Sequence, residues 1–275
     1  MNIQPSEEKI TSAPMFADSG NQATRVIYDY PPSGVKGAWT VICSEVPFTT
    51  SNWHVAMNSF SSETILFDLG IVQDNGSVSA IISDMIISGA GLLLGPTPLH
   101  IPMMFPAGAK LVARGSCTSP HSTTGDVTCG LFFSETFFDG GPYRCAKTYG
   151  TIVASGRGTV IDPGGTVETW GAWTTVATAT EAPMHHALIS ITNGNNLVRT
   201  SATYNVEIGV GAVGAEVAIL QSMFFQFSAV DDQPKPALIS LPLMAPAGSR
   251  LSARGRCSIN DAADRLFDIG IVGLY

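Results

Sequence analysis

The chain has 275 residues, 45% of them hydrophobic and only 13% charged, with a formal net charge of −8 and a pI near 5.0. Without a basic run there is no electrostatic footprint for nucleic acid and no polybasic patch for a membrane surface. So little charge leaves Ser, Thr, Asn, Gly and apolar atoms to cover a surface poorly protected against association.

Residues 1–22 are polar, contain proline and show no periodicity, and their opening stretch MNIQPSEEKITSAP has no apolar signal core. They predict an extended arm, ordered where something holds it. Short β-type runs follow at 24–30, 38–46, 53–60, 63–72, 78–88, 97–105, 109–117 and 126–133. Most alternate apolar and polar residues or are rich in Val, Ile, Thr and Phe, and all are bounded by Gly, Pro, Asn or Asp, the pattern of an all-β sandwich or barrel. No window carries an apolar stripe of helical period, so helix content is expected to be low. The most apolar stretch, 81–95, is interrupted by Ser83, Asp84 and glycines and falls short of the roughly 20 apolar residues of a membrane span.

The pattern then repeats. PAGAKLVARGSC at 106–117 and PAGSRLSARGRC at 246–257 share eight of twelve residues. GAWT occurs at 37–40 and 171–174, FDLGIV at 67–72 matches VEIGVG at 206–211 in pattern, and Pro102 faces Pro242. The offset grows from 134 at Trp39/Trp173 to 140 at Cys117/Cys257, as small loop insertions would make it. The expected organisation is an arm (1–22), a first sandwich (23–136), a linker or insertion (137–155) and a second sandwich (156–275), each copy long enough to bury a core. In 137–155 the aromatic residues Phe137, Phe138, Tyr143 and Tyr149 suit either a linker with a return strand or an insertion packing the copies together.

The repeated segment reads as a structural corner. Pro106 or Pro246 fixes φ, and Gly108 or Gly248 is free to take φ > 0, giving a tight turn into a strand. Along that strand Leu111 and Ala113 share one face with Leu251 and Ala253 as their counterparts, while Arg114 and Arg254 point the other way. The arginines are candidates to pair with a carboxylate at the sandwich edge.

Five cysteines occur, Cys43, Cys117, Cys129, Cys145 and Cys257, none in C-x-x-C spacing. Cys117 and Cys129 flank one loop, and a disulfide between them is one reading; two buried thiols are the other. Ile269 in the position of Cys129 points that position into the core. The histidines His54, His100, His121, His185 and His186 form no metal-ligand motif. There is no G-x-S-x-G, and the Ser, His and Asp of SPHSTTGD (119–126) have no counterparts in SINDAADR of the second copy. Asp68, Asp74, Asp84, Glu207, Glu216, Asp231 and Asp232 are candidate carboxylates for glycoside chemistry. Asp68 matches Glu207 between copies, and strand alternation places Asp68 toward solvent or an edge. GVGAVGAE at 209–216 fits G-x-G-x-x-G but belongs to a β context, where a hairpin loop explains it. Trp39 and Trp173 are duplicated and read as core or corner residues. Trp53 and Trp170 are not, and are candidates for an exposed glycan platform.

The set VKGAWTVI, ETILFDLGIV and IPMMFPAGAKLVARGSC, repeated as TWGAWTTV, YNVEIGVG, ISLPLMAPAGSRLSARGRC and DIGIVG, resembles β-sandwich modules of uncharacterised structural proteins of tailed bacteriophage virions. The resemblance covers most of both copies and omits the arm and the linker. It implies a tandem, jelly-roll-like antiparallel sandwich and a non-enzymatic virion component: capsid decoration, neck or collar, or tail-associated. Its partners would be other virion proteins, reached through the arm, with self-association compatible, and no cofactor is implied. Its location would be the virion, after synthesis in the host cytoplasm. The alternative within the same resemblance is a receptor- or glycan-binding module of a tail or fibre.

Overall fold

Alternating apolar and polar residues between glycine- and proline-bearing turns put the described residues into strands and the turns between them. The computed structural model describes residues 14–15, 24–28, 35–46, 48–59, 64–88, 98–117, 125–134, 143–192, 200–227, 238–260 and 265–275, and no helix occurs among them. The first half holds β1 (Pro14–Met15), β2 (Thr24–Tyr28), β3 (Thr40–Cys43), β4 (Asn52–Ser59), β5 (Thr64–Val72), β6 (Val78–Ser88), β7 (Pro98–Ile101), β8 (Lys110–Cys117) and β9 (Gly125–Ser134). The second holds β10 (Ala146–Tyr149), β11 (Thr159–Ile161), β12 (Thr174–Ala177), β13 (Met184–Thr192), β14 (Ala202–Val210), β15 (Val217–Phe227), β16 (Leu238–Ala245), β17 (Leu251–Cys257) and β18 (Phe267–Leu274).

Each half is an antiparallel sandwich of a five-stranded and a four-stranded sheet. In the first these are β1-β9-β4-β7, with β2 also on β9, and β3-β8-β5-β6. In the second they are β10-β18-β13-β16, with β11 also on β18, and β12-β17-β14-β15. The halves agree in register as well as in order. Trp53 faces Ile101 as Ala187 faces Leu241, Ala56 faces Gly130 as Ser190 faces Gly270, and Asp68 faces Arg114 as Glu207 faces Arg254. The β5–β6 ladder shifts between Phe67 and Leu69, and the β14–β15 ladder between Val206 and Ile208. The all-β sandwich expected from the patterning is thus the observed architecture.

The first core gathers Trp53, Val55, Ile65, Phe67, Leu69, Met85, Phe105, Leu111 and Ala113 between its sheets. The second gathers Ile189, Ile191, Tyr204, Val206, Ile208, Phe225, Phe227, Leu251, Ala253, Phe267 and Ile269. Ile269 is fully buried, as an isoleucine at that position predicts.

The halves are joined by more than the chain. β6 packs on β10, β13 and β18, and β7 on β16. Leu188, Val272 and Leu274, on the outer face of the second half's five-stranded sheet, belong to the first half's core. Every residue of β18 is buried in consequence. Ile86 of β6 rests on Gly270, where an added Cβ would lie 2.7 Å from its Cδ1. Thr148 donates to the carbonyl of Ser83, and Thr151 Oγ1 to that of Asp84 at 3.1 Å. Part of segment 137–155 therefore belongs to the second sandwich, since β10 is its edge strand on β18. Tyr143 is in the first core and Tyr149 in the second; Phe137 and Phe138 lie outside the described residues. Of the arm, Pro14 and Met15 pair with Phe132 and Leu131, and the other residues up to 22 lie outside the described ones.

Candidate functional site

The duplicated segment builds a tight corner in each half. Gly108 has φ +81° and Gly248 +74°, conformations open to glycine. Their amides donate to the carbonyls of Val46 and Thr180, each at 2.8 Å, which ties the corner to the connection leading into β4 or β13. Pro106 and Pro246 open the two turns, and their carbonyls accept from Ala109 and Ser249 at 3.2 Å.

Past the corner, antiparallel pairing sets Arg114 directly across from Asp68 and Arg254 across from Glu207, within cross-strand side-chain reach. Arg114 Nε donates to Asp68 Oδ2 at 2.8 Å, and Lys36 Nζ to Asp68 Oδ1 at 2.7 Å. The backbone amide of Asp84 donates to the same Oδ1 at 2.8 Å, and Lys36 Nζ also reaches Asp84 Oδ1 at 2.8 Å. Arg114 stacks over the Trp39 ring, 4.3 Å from its centroid. In the second half Arg254 donates to Glu207 through Nε at 2.8 Å and lies 2.6 Å from it through Nη2, with its guanidinium 4.4 Å over Trp173. Trp170 stands where the register puts Lys36, and takes Arg254 at 5.1 Å and Arg256 at 5.0 Å on its ring. Arg256 also donates to Asn205 Oδ1 at 3.1 Å. The glycine after each acid supports its tryptophan: an added Cβ at Gly70 or Gly209 would lie 3.1 or 2.9 Å from Cη2 of Trp39 or Trp173.

This motif, G-x-W, then acid-x-Gly, then Arg, corrects the placing of Asp68 toward solvent. Alternation does put Asp68 on the outer face of its sheet, but the segment carrying Lys36 and Trp39 covers that face. Asp68 is 1% exposed and Glu207 8%. A buried carboxylate needs paired, hydrogen-bonded partners, and the arginines and Lys36 provide them. The pairing foreseen for Arg114 and Arg254 is present, and it engages Asp68 and Glu207, two of the seven candidate carboxylates.

The glycan platform also needs correction. Trp53 is fully buried: its Nε1 donates to the Met103 carbonyl at 3.2 Å, and its ring meets Phe105 edge-on at 4.6 Å. Core packing at the sheet centre overrides the exposed reading. Trp170 is half-buried between its two arginines. Sequence 209–216 is the end of β14 and the hairpin connection to β15, with Gly214 at φ +80°.

Three histidines meet near the junction of the halves. The rings of His54 and His100 are 4.9 Å apart, and His186 lies 5.7 Å from Tyr143 with Nε2 2.8 Å from Ser240 Oγ. Desolvation, with the nearby His100, holds His186 down at about 4, and burial lowers His54 and His100 too. Among the described residues no group of His, Cys, Asp and Glu has an arrangement able to hold a metal ion. The side chains of Cys117 and Cys129, and residues 119–124 of the SPHSTTGD loop, lie outside the described ones. The backbones of the two cysteines belong to different sheets. Asp231 and Asp232 are likewise outside.

No family model and no curated protein matches the chain. Among solved structures it is similar to PNGF-II, at TM-score 0.38 and 9% identity over 98% of this chain, in two crystal forms of which it covers 65% and 66%. The chain thus spans just under two thirds of that protein. The N-terminal CBM22-1-CBM22-2 tandem domain from Paenibacillus barcinonensis Xyn10C aligns over 97% of this chain and 91% of that one, at TM-score 0.24 and 8% identity. These are weak likenesses to β-sandwich proteins, carbohydrate-binding modules among them. They carry no activity, ligand or partner to this chain, and none ties it to virion proteins.

Proposed function

We propose that the protein works by binding and not by catalysis, as a structural component of a virion held by protein–protein contacts. The observation that carries this reading is a pair of open edge strands in the second half, one from each sheet: Val217 (66% exposed) and Phe224 (54%) on β15, and Met244 (69%) on β16. At the positions of Phe224 and Met244 the first half carries Ile86, which is buried, and Met104, which is half-buried, and large apolar groups left open mark interaction surfaces. The engagement of Asp68 and Glu207 by their arginines supports the same reading, as does the sparse charge. The resemblance to tailed-phage modules supplies the setting. Immunogold labelling of the virions, with antibody raised to this protein, tests it. Label on the shell, neck or tail is expected, and unlabelled virions overturn it.

A receptor- or glycan-binding module is the second reading, and one observation favours it. Trp170 offers part of its ring at the surface between Arg254 and Arg256, a stacking edge flanked by donors. Trp170→Ala should then abolish binding on a glycan array and leave particle incorporation intact.

A further inference from the structure

The two halves share one strand plan, so each surface of one has a counterpart in the other. In the first half the β6–β7 edge is an interface. Ile86 is 2% exposed against Gly270, Pro102 is buried, and the segment at Tyr143 covers the stretch after β7 through the bonds Tyr143 N to Pro102 O and Met104 N to Tyr143 O. In the second half the same positions are open. Register pairs Leu66 with Ile86 and Asn205 with Phe224, so Phe224 is the counterpart of Ile86. Pro242 and Met244 are the exposed counterparts of Pro102 and Met104. The carbonyls of Ser83 and Asp84, which accept from Thr148 and Thr151, correspond to those of Gln221 and Ser222, both exposed residues.

The surface that covers the β6–β7 edge has its counterpart as well. It is the outer face of β10, β13 and β18, and the matching strands of the first half are β1, β4 and β9. Pro14 pairs with Phe132 as Thr148 pairs with Val272, and Gly130 stands at the register position of Gly270. We infer that the β15–β16 edge of one molecule docks on the β1–β4–β9 face of a second copy of this chain, bringing Phe224 to Gly130 as Ile86 is brought to Gly270 within the chain. The occupant is a second copy because the chain already contains this interface once, built from the same strands in the same register. Such a contact is head-to-tail: it closes into a ring where the rotation between successive halves allows and otherwise extends as a filament. β1 takes the place of β10, which puts Pro14 and Met15 at the contact between neighbours.

The inference rests on the protein–protein reading above and names its partner. Its test uses the full chain and two variants, Phe224→Glu on the donor edge and Gly130→Glu on the acceptor face, with mass photometry and sedimentation velocity as readouts. The wild type should form species larger than a dimer. Each variant alone should be monomeric, and an equimolar mixture should give a heterodimer and nothing larger, because it offers one intact edge and one intact face. Met244→Glu, a second change on the edge, should behave as Phe224→Glu and keeps the test open should Gly130→Glu misfold. A monomeric wild type overturns the inference, and so does assembly by Phe224→Glu or Met244→Glu at the wild-type size. Incorporation of Phe224→Glu into virions at the wild-type level would sink this contact and leave the structural reading standing. Wild-type protein absent from virions would instead sink that reading.

Discussion

Asp84 and Ser222 occupy one position in two copies of an edge strand: both lie at a bulge, with φ of 57° and 52°. Non-glycine residues rarely adopt this region, and it carries a cost that local hydrogen bonds offset. The two copies handle the cost differently. The Asp84 amide donates to Asp68, and its carboxylate shares Lys36. At the second bulge the register puts Trp170 where Lys36 would be. One backbone device is therefore retained, while the Lys36–Asp84 pair beside it belongs to the first copy alone.

This difference predicts unequal costs for the two arginines. Asp68 receives donors from Arg114, Lys36 and the Asp84 amide, whereas the charged partner of Glu207 is Arg254. Removing one member of a buried pair costs about 3–5 kcal/mol when the other is stranded. Arg254→Ala should approach that loss, reduced by the partial exposure of the pair, and Arg114→Ala should cost clearly less. Urea denaturation of both variants checks the order.

Much of the fold was legible in sequence because its signals are local. Alternation, Gly-Pro turns and the repeated PAG corner each act within a few residues, and they yielded strands, sandwich class and repeat. The burial of Asp68 was not legible, since it depends on the segment at Lys36 and Trp39 folding back over the sheet. The acid-x-Gly pattern in both copies was the available sign: a glycine two residues past an acid leaves room for a ring. Trp53 read as exposed for lack of a duplicate, yet Ala187 fills its register position in a core that aromatic rings elsewhere make full. The junction of the halves was not legible either, because the outer face of β6 looks like any edge strand until its partner is in place.

His186 makes stability depend on pH. The fold holds it near 4, below the ordinary histidine value, because burial and His100 oppose its charge. Above the unfolded value, about 6.5, both states are neutral and the full stability is present. As pH falls toward 4 the unfolded chain takes up a proton that the folded chain refuses, at a cost of roughly 3 kcal/mol. His54 and His100, also lowered, add in the same direction. The urea midpoint should drop between about pH 7.5 and pH 4.5, and His186→Asn should flatten the drop. An unchanged slope in that variant would assign the pH dependence to other groups.

Trp53 is expected to matter for folding and not for recognition. Trp53→Ala should cost about 3–5 kcal/mol, the range for emptying a large aromatic site in a core. Trp53→Phe keeps much of the volume and loses the bond to Met103, so it should cost less. Thermal unfolding measures both. A Trp53→Ala protein with unchanged melting would contradict the core assignment.

Two glycines separate conformational cost from steric cost. At Gly248 φ is +74° and an added Cβ meets nothing within 4 Å, so Gly248→Ala should lose about 1–2 kcal/mol through backbone strain alone. Asn tolerates this region better than other residues, and Gly248→Asn should recover part of the loss. At Gly209 the obstacle is the Trp173 ring, 2.9 Å from an added Cβ, with the Val217 carbonyl at 3.2 Å. Asn would worsen that clash, and relief should come from shrinking the ring. A double-mutant cycle of Gly209→Ala with Trp173→Leu should therefore show coupling, the pair costing less than the sum of the singles. Strict additivity there would mean that the ring moves aside freely, and the stack of Trp173 on Arg254 would then be too loose to hold the segment over the sheet.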